Sequence, residues 1–409
     1  MKILHTADWH LGKRLERFSR LEEQQAALDE LIALANEHSV DLVLVAGDLF
    51  DTYNPPNEAS ELFYKALRQL TANGSRPVVA IAGNHDSPER IEAPDPLARS
   101  CGIVFSGFPY TQLPTFNLDN GVSVTQADQG FINLTLPNVP YPVRVLMTPY
   151  ANEYRLKQFL GVDNHEEEMR AILARHWQHL SDQYCDVQGV NVLVAHLFVV
   201  ERGRQVLDEP EGEKPILHVG GAQAIYTDSI PEQIQYVALG HLHRQHAVPG
   251  ADCPVYYSGS PLSYSFAEAG QKKYALLVEV APGEPAEVTP LPLQAGKALV
   301  KKRFETTASA VAWLEANQNQ LVELTMATET YLTAEEKKAL YDCHDGIVSL
   351  VPEVKNSAYT EGTAGTSIDL TKPINDLFAE YFEFKTGQPP NESLQALFKE
   401  VIGTDSTTT

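Results

Sequence analysis

The first half of the chain alternates short apolar runs with segments whose apolar residues recur at helical spacing. The apolar runs are rich in β-branched residues and lie at residues 2–5, 41–46, 78–82, 143–147, 190–194 and 236–239. They are continuous rather than alternating, which is typical of strands that are covered on both faces. The pattern therefore predicts six buried strands in this part of the chain.

Amphipathic helices are predicted between these strands. Their apolar positions recur with a period near 3.6 residues. These positions are Leu28, Leu31, Ile32 and Ala35; then Leu62, Phe63, Ala66, Leu67 and Leu70; then Met169, Ile172, Leu173, His176, Trp177 and Leu180. Alternating strands and helices predict an α/β fold with a layered core, in which the sheet lies inside and the helices outside.

The pattern changes after about residue 285. Strands are predicted at residues 298–304, 321–327 and 346–354, with a helix at residues 308–317. Thr333 and Glu336 have the spacing of a capping box, which predicts the start of a further helix. We therefore expect a core at residues 1–284 and a small α+β cap domain at residues 285–355.

A flexible linker is predicted at residues 356–367, which are rich in Ser, Thr, Gly and Ala. Two amphipathic helices follow, forming a helix-loop-helix at residues 368–403. Their apolar faces contain Ile374, Leu377, Phe378, Tyr381 and Phe382, and then Leu394, Leu397, Phe398 and Val401. These faces have to be buried, either against the core or against a partner protein, and we favour a partner.

The composition of the chain limits the classes of protein to which it can belong. The chain has 409 residues, of which 43% are hydrophobic, as expected for two or three globular domains. It has neither the ~18-residue apolar stretch of a membrane span nor a signal-peptide pattern. Its cysteines, Cys101, Cys185, Cys253 and Cys343, are widely scattered. These features together predict a cytoplasmic protein without a membrane partner.

The formal net charge of −23 argues against unassisted binding of nucleic acid. The excess carboxylates belong to a solvated surface, or a more basic partner protein holds the nucleic acid. Basic residues do occur in two groups, Lys13, Arg14, Arg17 and Arg20, and Lys301, Lys302 and Arg303. Each group either faces phosphates or forms an ordinary solvated surface.

Five polar segments each begin where a predicted strand ends. They are Asp8-Trp9-His10, Gly47-Asp48-Leu49-Phe50-Asp51, Gly83-Asn84-His85-Asp86, His196 and Gly240-His241-Leu242-His243. Since ligands bind outside the carboxyl ends of strands in layered α/β folds, these side chains should converge. Carboxylate, amide and imidazole groups without thiolate favour manganese, iron, magnesium or zinc.

The number of candidate ligands predicts two metal ions rather than one. The candidates are Asp8, His10, Asp48, Asn84, His196, His241 and His243, whereas one tetrahedral site needs about four. If Asp48 bridges, each ion has four protein ligands, and the pair suits phosphoryl chemistry. His85 then stays available to stabilise charge or donate a proton, with Asp86 holding its ring.

These ordered motifs resemble those of the calcineurin-like metallophosphoesterase superfamily. Within it, residues 6–13, 46–51 and 257–261 resemble the SbcD nuclease subunits of bacteria. The resemblance implies one metal site made by Asp8, His10, Asp48 and His243, and a second made by Asp48, Asn84, His196 and His241. It also implies that the metal is Mn²⁺, although Mg²⁺, Fe²⁺ or Zn²⁺ would suit the ligands, and that His85 is the catalytic histidine.

The same resemblance implies a DNA endonuclease and exonuclease that processes double-stranded ends and hairpins in repair and recombination. The cap would face DNA, and the tail helices would bind an SbcC-type coiled-coil ATPase. A homodimer of the chain would lie within a heterotetramer. ATP would be used by the partner, and this chain contains no GxxxxGK[ST] motif. A small-molecule phosphodiesterase or nucleotidase, a protein phosphatase and a catalytically lapsed scaffold are the alternatives.

Overall fold

A computed structural model describes residues 1–157, 165–203, 224–354, 373–386, 389–391, 394–395 and 397–398. The chain forms two compact units. The first contains the described parts of residues 1–326 and 333–352, and the second contains those of residues 327–332 and 353–398. The predicted linker at residues 356–367, and Val401 in the second tail helix, lie outside the described residues.

The strands are numbered here in chain order. They are β1 (Lys2–Thr6), β2 (Arg14–Leu15), β3 (Phe18–Ser19), β4 (Leu42–Val45), β5 (Val78–Ile81), β6 (Ile103–Ser106), β7 (Phe116–Asn117), β8 (Ser123–Asp128), β9 (Phe131–Leu136), β10 (Val139–Thr148), β11 (Val190–His196), β12 (Val199–Val200), β13 (Ile225–Tyr226), β14 (Tyr236–Gly240), β15 (His246–Ala247), β16 (Val255–Tyr257), β17 (Lys273–Glu279), β18 (Glu287–Leu293), β19 (Ala298–Phe304), β20 (Gln320–Thr328) and β21 (Ile347–Val354). All six strands predicted in the first half are present.

The helices include the three predicted in the core. They are α1 (Leu21–Glu37), α2 (Asn57–Leu70), α3 (Pro88–Glu92), α4 (Asp95–Ser100), α5 (Glu153–Leu156), α6 (His165–Tyr184), α7 (Thr307–Ala316), α8 (Ala334–Cys343) and α9 (Ile374–Thr386). Short 3₁₀ turns occur at Thr227–Ser229 and Phe266–Glu268. No helix among the described residues is long and apolar enough to cross a membrane.

The core contains two large sheets. The six-stranded sheet has the order β18-β17-β1-β4-β5-β6, and the eight-stranded sheet has the order β15-β16-β14-β11-β10-β9-β8-β7. Strands β1, β4, β5 and β6 are mutually parallel, as are β10, β11, β14 and β16. The parallel strands of each sheet bring their carboxyl ends to one edge of that sheet.

Apolar side chains fill the space between the sheets and cover both outer faces. Ile3 packs between the sheets with residues of β10, β11 and β14, whereas its neighbour Leu4 faces α1 and α2. Helix α6 covers the outer face of the eight-stranded sheet through Leu173 and Trp177. The layers of the core are therefore stacked in the order helix, sheet, sheet, helix. This arrangement explains the continuous apolar runs, since alternate residues of one strand contact a sheet and a helix. The predicted layered α/β core is confirmed.

His5 joins the two sheets, since it lies in β1 and contacts Tyr236 and Leu239 of β14. Its Nδ1 lies 2.7 Å from the Tyr236 hydroxyl oxygen, and its Nε2 lies 3.1 Å from the Leu239 carbonyl oxygen. A carbonyl can only accept, so Nε2 donates and Nδ1 accepts from Tyr236. Burial lowers the pKa of His5 to about 3, although the bond to Leu239 opposes the shift. This histidine is therefore a neutral structural residue.

The region predicted as a cap domain contains a three-stranded sheet, β19-β20-β21, with helices α7 and α8. The capping box is present, since Thr333 and Glu336 exchange side-chain and backbone hydrogen bonds at the start of α8. Strand β18 lies in the segment assigned to the cap but pairs with β17 in the six-stranded sheet. The division of the chain into functional domains stays a prediction.

The second unit contains α9, whose Phe378 ring stacks on that of Phe398 at a centroid distance of 3.7 Å. Three large apolar side chains of this unit remain more than half exposed. Ile374 at 56% and Tyr381 at 52% belong to α9, and Leu397 at 55% lies beyond it. The predicted apolar face of this helix is therefore only partly covered in the described residues.

Candidate metal centre

All seven predicted ligands meet in one buried cluster. They lie in or just after β1, β4, β5, β11 and β14, at the carboxyl ends of these strands in the two sheets. Each is at most 5% exposed: Asp8, His10, Asp48, Asn84, His196, His241 and His243. The convergence predicted from strand ends is therefore observed, and it draws on both sheets.

Asp48 occupies the middle of the cluster. Its Oδ2 lies 3.5 Å from His10 Nε2 on one side and 3.5 Å from His196 Nε2 on the other. His10 Nε2 lies 3.0 Å from His243 Nε2. On the opposite side, Asn84 Oδ1 lies 2.9 Å from His196 Nε2. These contacts give two groups of donor atoms that share the Asp48 carboxylate.

The remaining two candidate ligands, Asp8 and His241, lie beside these groups. Asn84 Oδ1 lies 3.1 Å from His241 Nδ1. Asp8 Oδ1 accepts the backbone N–H of His241 at 2.9 Å and lies 3.9 Å from His196 Nδ1. The hydrogen bond from His241 therefore connects the backbone after β14 to Asp8.

The donor atoms fit divalent cations. Asp8 Oδ2 and His10 Nδ1 are buried and have no hydrogen-bond partner among the described residues, whereas buried polar atoms are normally paired. Ligand atoms of Asp8, His10 and Asp48 lie within 4.8 Å of one another, as do those of His10, Asp51 and His85. Oxygen and imidazole donors without thiolate suit the harder metals.

The backbone of the site is strained where it turns the ligands inward. Asp8, His10, Asp48 and His241 have φ angles of 55°, 43°, 48° and 106°, a region that residues other than glycine seldom adopt. Two backbone hydrogen bonds of 2.9 Å, from Asp8 to Gly47 and from His10 to Asp48, hold these turns together. The surrounding structure therefore imposes the ligand geometry.

Glycines precede the ligands because there is no room for a side chain. A Cβ atom at Gly83 would lie 2.1 Å from Asp48 Oδ1, and one at Gly47 would lie 2.2 Å from His196 Nδ1. Both distances are far below any contact that a carbon atom tolerates. Glycine therefore permits the close approach of the backbone to the candidate ligands at these two positions.

The buried carboxylates need positive charge beside them. Burial raises the pKa of Asp8 to about 7, even though His196 and His243 oppose the shift. Burial also acts to raise the pKa of Asp48, but His196, His85 and His10 together hold it well below its usual range. Burial acts to lower the pKa of His196, yet Asp48 and Asp8 raise it to about 9. A divalent cation would supply this compensating charge more strongly than a protonated imidazole.

Asp86 does not have the role predicted for it. Its carboxylate accepts backbone N–H groups from Leu49, Phe50 and Gly83 at 3.0, 2.9 and 2.8 Å. The His85 ring instead lies against the Asp51 backbone, with Nδ1 2.8 Å from the carbonyl oxygen. Asp51 rather than Asp86 therefore orients the ring, while Asp86 joins the turn after β4 to the turn after β5. Burial raises the pKa of Asp86 to about 6.

Sequence reasoning missed several residues around the ligands. Arg155 is buried and donates to the carbonyl oxygens of Gly83 and Asp86, both at 2.8 Å. Glu268 and Lys273 form a buried ion pair beside His243. Ser265 and Glu268 have capping-box spacing, which was a usable signal for that turn, whereas no local pattern marks Arg155.

In the first basic group, Lys13 lies at the edge of the candidate metal centre, whereas Arg20 lies in the protein interior. Lys13 Nζ pairs with Asp51 Oδ1 at 2.7 Å, at the edge of the metal cluster. Arg20 is buried, pairs with Glu23 and donates to the Ser263 carbonyl oxygen. Arg20 therefore does not face phosphates, because its guanidinium is used inside the protein.

Arg17 and residues of the second basic group contact side chains of the region predicted as a cap. Arg17 lies over the rings of Phe18 and Tyr341. In the second basic group, Lys301 pairs with Glu323 at 3.1 Å and Lys302 lies over the Trp313 ring. These contacts give each side chain a structural role in addition to its charge.

Comparisons with known proteins agree with this geometry. The family model for calcineurin-like phosphoesterases matches residues 1–245. The chain is 35% identical to the SbcD component of the SbcCD nuclease of Bacillus subtilis, covering 98% of this chain and 97% of the relative. It is 33% identical to the corresponding SbcCD component of Rhodobacter capsulatus, covering 71% and 69%. The solved structure of TT1561 from Thermus thermophilus is 12% identical, covers 71% of this chain and 98% of its own, and has a TM-score of 0.37, too low to support an inference.

Proposed function

The chain belongs to the calcineurin-like phosphoesterase family and, within it, to the SbcD components of SbcCD nucleases, and we propose that its substrate is double-stranded DNA at ends and hairpins. The chain is a metal-dependent enzyme that hydrolyses phosphodiester bonds. The observation that carries the proposal is the convergence of seven buried ligands around Asp48. Such a cluster suits hydrolysis of a phosphodiester rather than a merely structural role.

Two cations, most suitably Mn²⁺, would be held with Asp48 as the shared ligand. Asp8, His10 and His243 would complete one position, and Asn84, His196 and His241 the other. The chemistry that such a pair supplies is activation of water and neutralisation of phosphoryl charge. The equal distances from Asp48 Oδ2 to His10 and His196 support this assignment.

His85 would act on the leaving oxygen of the substrate. Its Nδ1 donates to the Asp51 carbonyl oxygen, so Nε2 is the nitrogen available to the substrate. The His85 backbone N–H donates to Asp48 Oδ1 at 2.9 Å, which sets the ring beside the metal ligands. In the imidazolium form, which carries a second proton on Nε2, His85 would stabilise developing charge or deliver that proton to the leaving oxygen.

A partner protein would supply much of the binding affinity for DNA. The net charge of −23 disfavours tight binding of DNA by this chain alone. We place an SbcC-type coiled-coil ATPase on residues 368–403, where exposed Ile374, Tyr381 and Leu397 offer apolar surface. In this proposal the partner uses ATP, residues 285–355 face DNA, and two copies of this chain assemble with two of the partner.

The test is DNA cleavage with Mn²⁺, using hairpin and blunt linear substrates beside bis-p-nitrophenyl phosphate and cyclic nucleotides. Asp48→Asn keeps the side-chain volume but removes the central charge, and Asp29→Asn on the exposed face of α1 is the matched control. We expect cleavage of DNA by wild type and the control but not by Asp48→Asn. The acidic surface favours a small-molecule phosphodiesterase as the second candidate. Hydrolysis of only the small substrates, even with the partner present, would establish that activity instead.

A further inference from the structure

A buried ion pair lies behind His243, on the opposite side of its ring from His10. Glu268 Oε1 lies 3.4 Å from His243 Nδ1, whereas Nε2 of the same ring faces His10. Glu268 is 5% exposed and Lys273 is 8% exposed. Within the described residues, these are buried charges that the proposed mechanism does not use.

Several donors fix the Glu268 carboxylate in place. Its Oε1 accepts the backbone N–H groups of Tyr264 and Ser265 at 3.0 and 3.1 Å. Its Oε2 pairs with Lys273 Nζ, which also donates to the His243 carbonyl oxygen at 3.0 Å. Lys273 therefore contacts both the carboxylate and the backbone of the histidine that this carboxylate faces.

We propose that Glu268 is a positioning residue that orients the His243 imidazole for metal binding, and that Lys273 holds Glu268 in this role. The inference rests on the proposed metal centre. A carboxylate that accepts the second ring N–H of a ligating histidine fixes its tautomer and raises its basicity. The proton on Nδ1 then leaves the Nε2 lone pair directed towards the other ligands.

A purely structural role for Glu268 is the alternative. Ser265 and Glu268 form the capping box of the turn at Phe266–Glu268, and Phe266 packs with Leu15 and Leu299. Glutamine also serves in a capping box, so Glu268→Gln largely preserves that function while removing the charge that faces His243. The two roles are therefore separable by one substitution.

The test is titration of metal-free full-length protein with Mn²⁺, with free Mn²⁺ followed by electron paramagnetic resonance. We expect Glu268→Gln to weaken one of the two Mn²⁺ sites roughly 10- to 100-fold and to leave the other unchanged. Glu30→Gln is the matched control, because Glu30 also accepts backbone N–H groups, from Gln294 and Ala295. It should bind both ions as wild type does.

One result would overturn the positioning role of Glu268, and another would overturn the metal centre. If wild type and a folded Glu268→Gln bind two ions with equal affinities, the positioning role fails while the metal centre stands. If wild type binds fewer than two ions, the metal centre itself fails. Should Glu268→Gln not fold, Lys273→Gln is the second variant, and wild-type Mn²⁺ affinities in it would overturn the role of the pair.

Discussion

The clearest quantitative prediction concerns His5, which is buried between the two sheets that carry the candidate metal ligands. Burial lowers its pKa from 6.5 to about 3. The unfolded chain binds a proton at this residue below about pH 6.5, whereas the folded protein stays neutral until about pH 3. Acidification therefore favours unfolding, and the stability that His5 contributes at neutral pH is lost as pH falls.

The expected magnitude follows from these two pKa values. One pKa unit corresponds to about 1.4 kcal/mol. Between about pH 7 and pH 5 the unfolded state becomes almost fully protonated at His5 and the folded state does not. The free energy of unfolding should therefore fall by about 2 kcal/mol through this residue alone.

His5→Gln isolates the effect. Glutamine can donate to the Leu239 carbonyl oxygen and accept from Tyr236, as His5 does, but it does not titrate. The assay is urea unfolding of metal-free protein at pH 7 and pH 5, followed by tryptophan fluorescence, to which the buried Trp9 and Trp177 contribute. The variant should lose about 2 kcal/mol less than wild type over this interval. An equal loss in both proteins would refute the assigned pKa shift.

Other predictions concern the metal site and the tail. His85→Ala should keep near-normal metal content while turnover falls roughly 10²- to 10⁴-fold, and elemental analysis showing metal loss would make His85 a ligand. Asp48→Ala should lose both ions, and full occupancy of one site would contradict a bridging role. Gly83→Ala should lower metal affinity, because its Cβ would lie 2.1 Å from Asp48 Oδ1; unchanged affinity by Mn²⁺ titration would contradict this. Removing residues 368–403 should spare hydrolysis of bis-p-nitrophenyl phosphate but abolish pull-down of the ATPase partner, and retained binding would contradict the assigned tail surface.

The clustering of the candidate ligands could be predicted because each candidate lies within a few residues of a strand end. Asp8 and His10 follow an apolar run, and Asn84 follows another. The apolar run marks the strand, and the polar residues after it mark the edge of the sheet. A shared direction of parallel strands brings together the segments of one sheet, whereas the convergence of all five also required that the two sheets stack with these edges side by side.

The environment of the ligands was harder to predict. Glu268 and Lys273 reach His243 from a turn and a strand that follow it by some 25 and 30 residues. Asp86 has the same sequence neighbourhood whether it binds the His85 ring or the backbone of Leu49. Arg20 belongs to a basic run that resembles a solvated surface, yet its guanidinium is buried. Side-chain direction at each of these positions depends on neighbours that are distant in sequence.

The sequence alone predicted six of the core strands, three of the core helices and the side chains suited to bind metal, but not strands such as β8, β9 and β17. Local periodicity reports whether a residue is buried, and ligand chemistry depends on residue type. Only the tertiary structure decided that the buried strands form two stacked sheets, with Ile3 facing one layer and Leu4 another. The physical reason is that an apolar residue is stabilised about equally by burial against a helix or against a sheet. Periodicity therefore records burial, while the packing partner follows from the assembled fold.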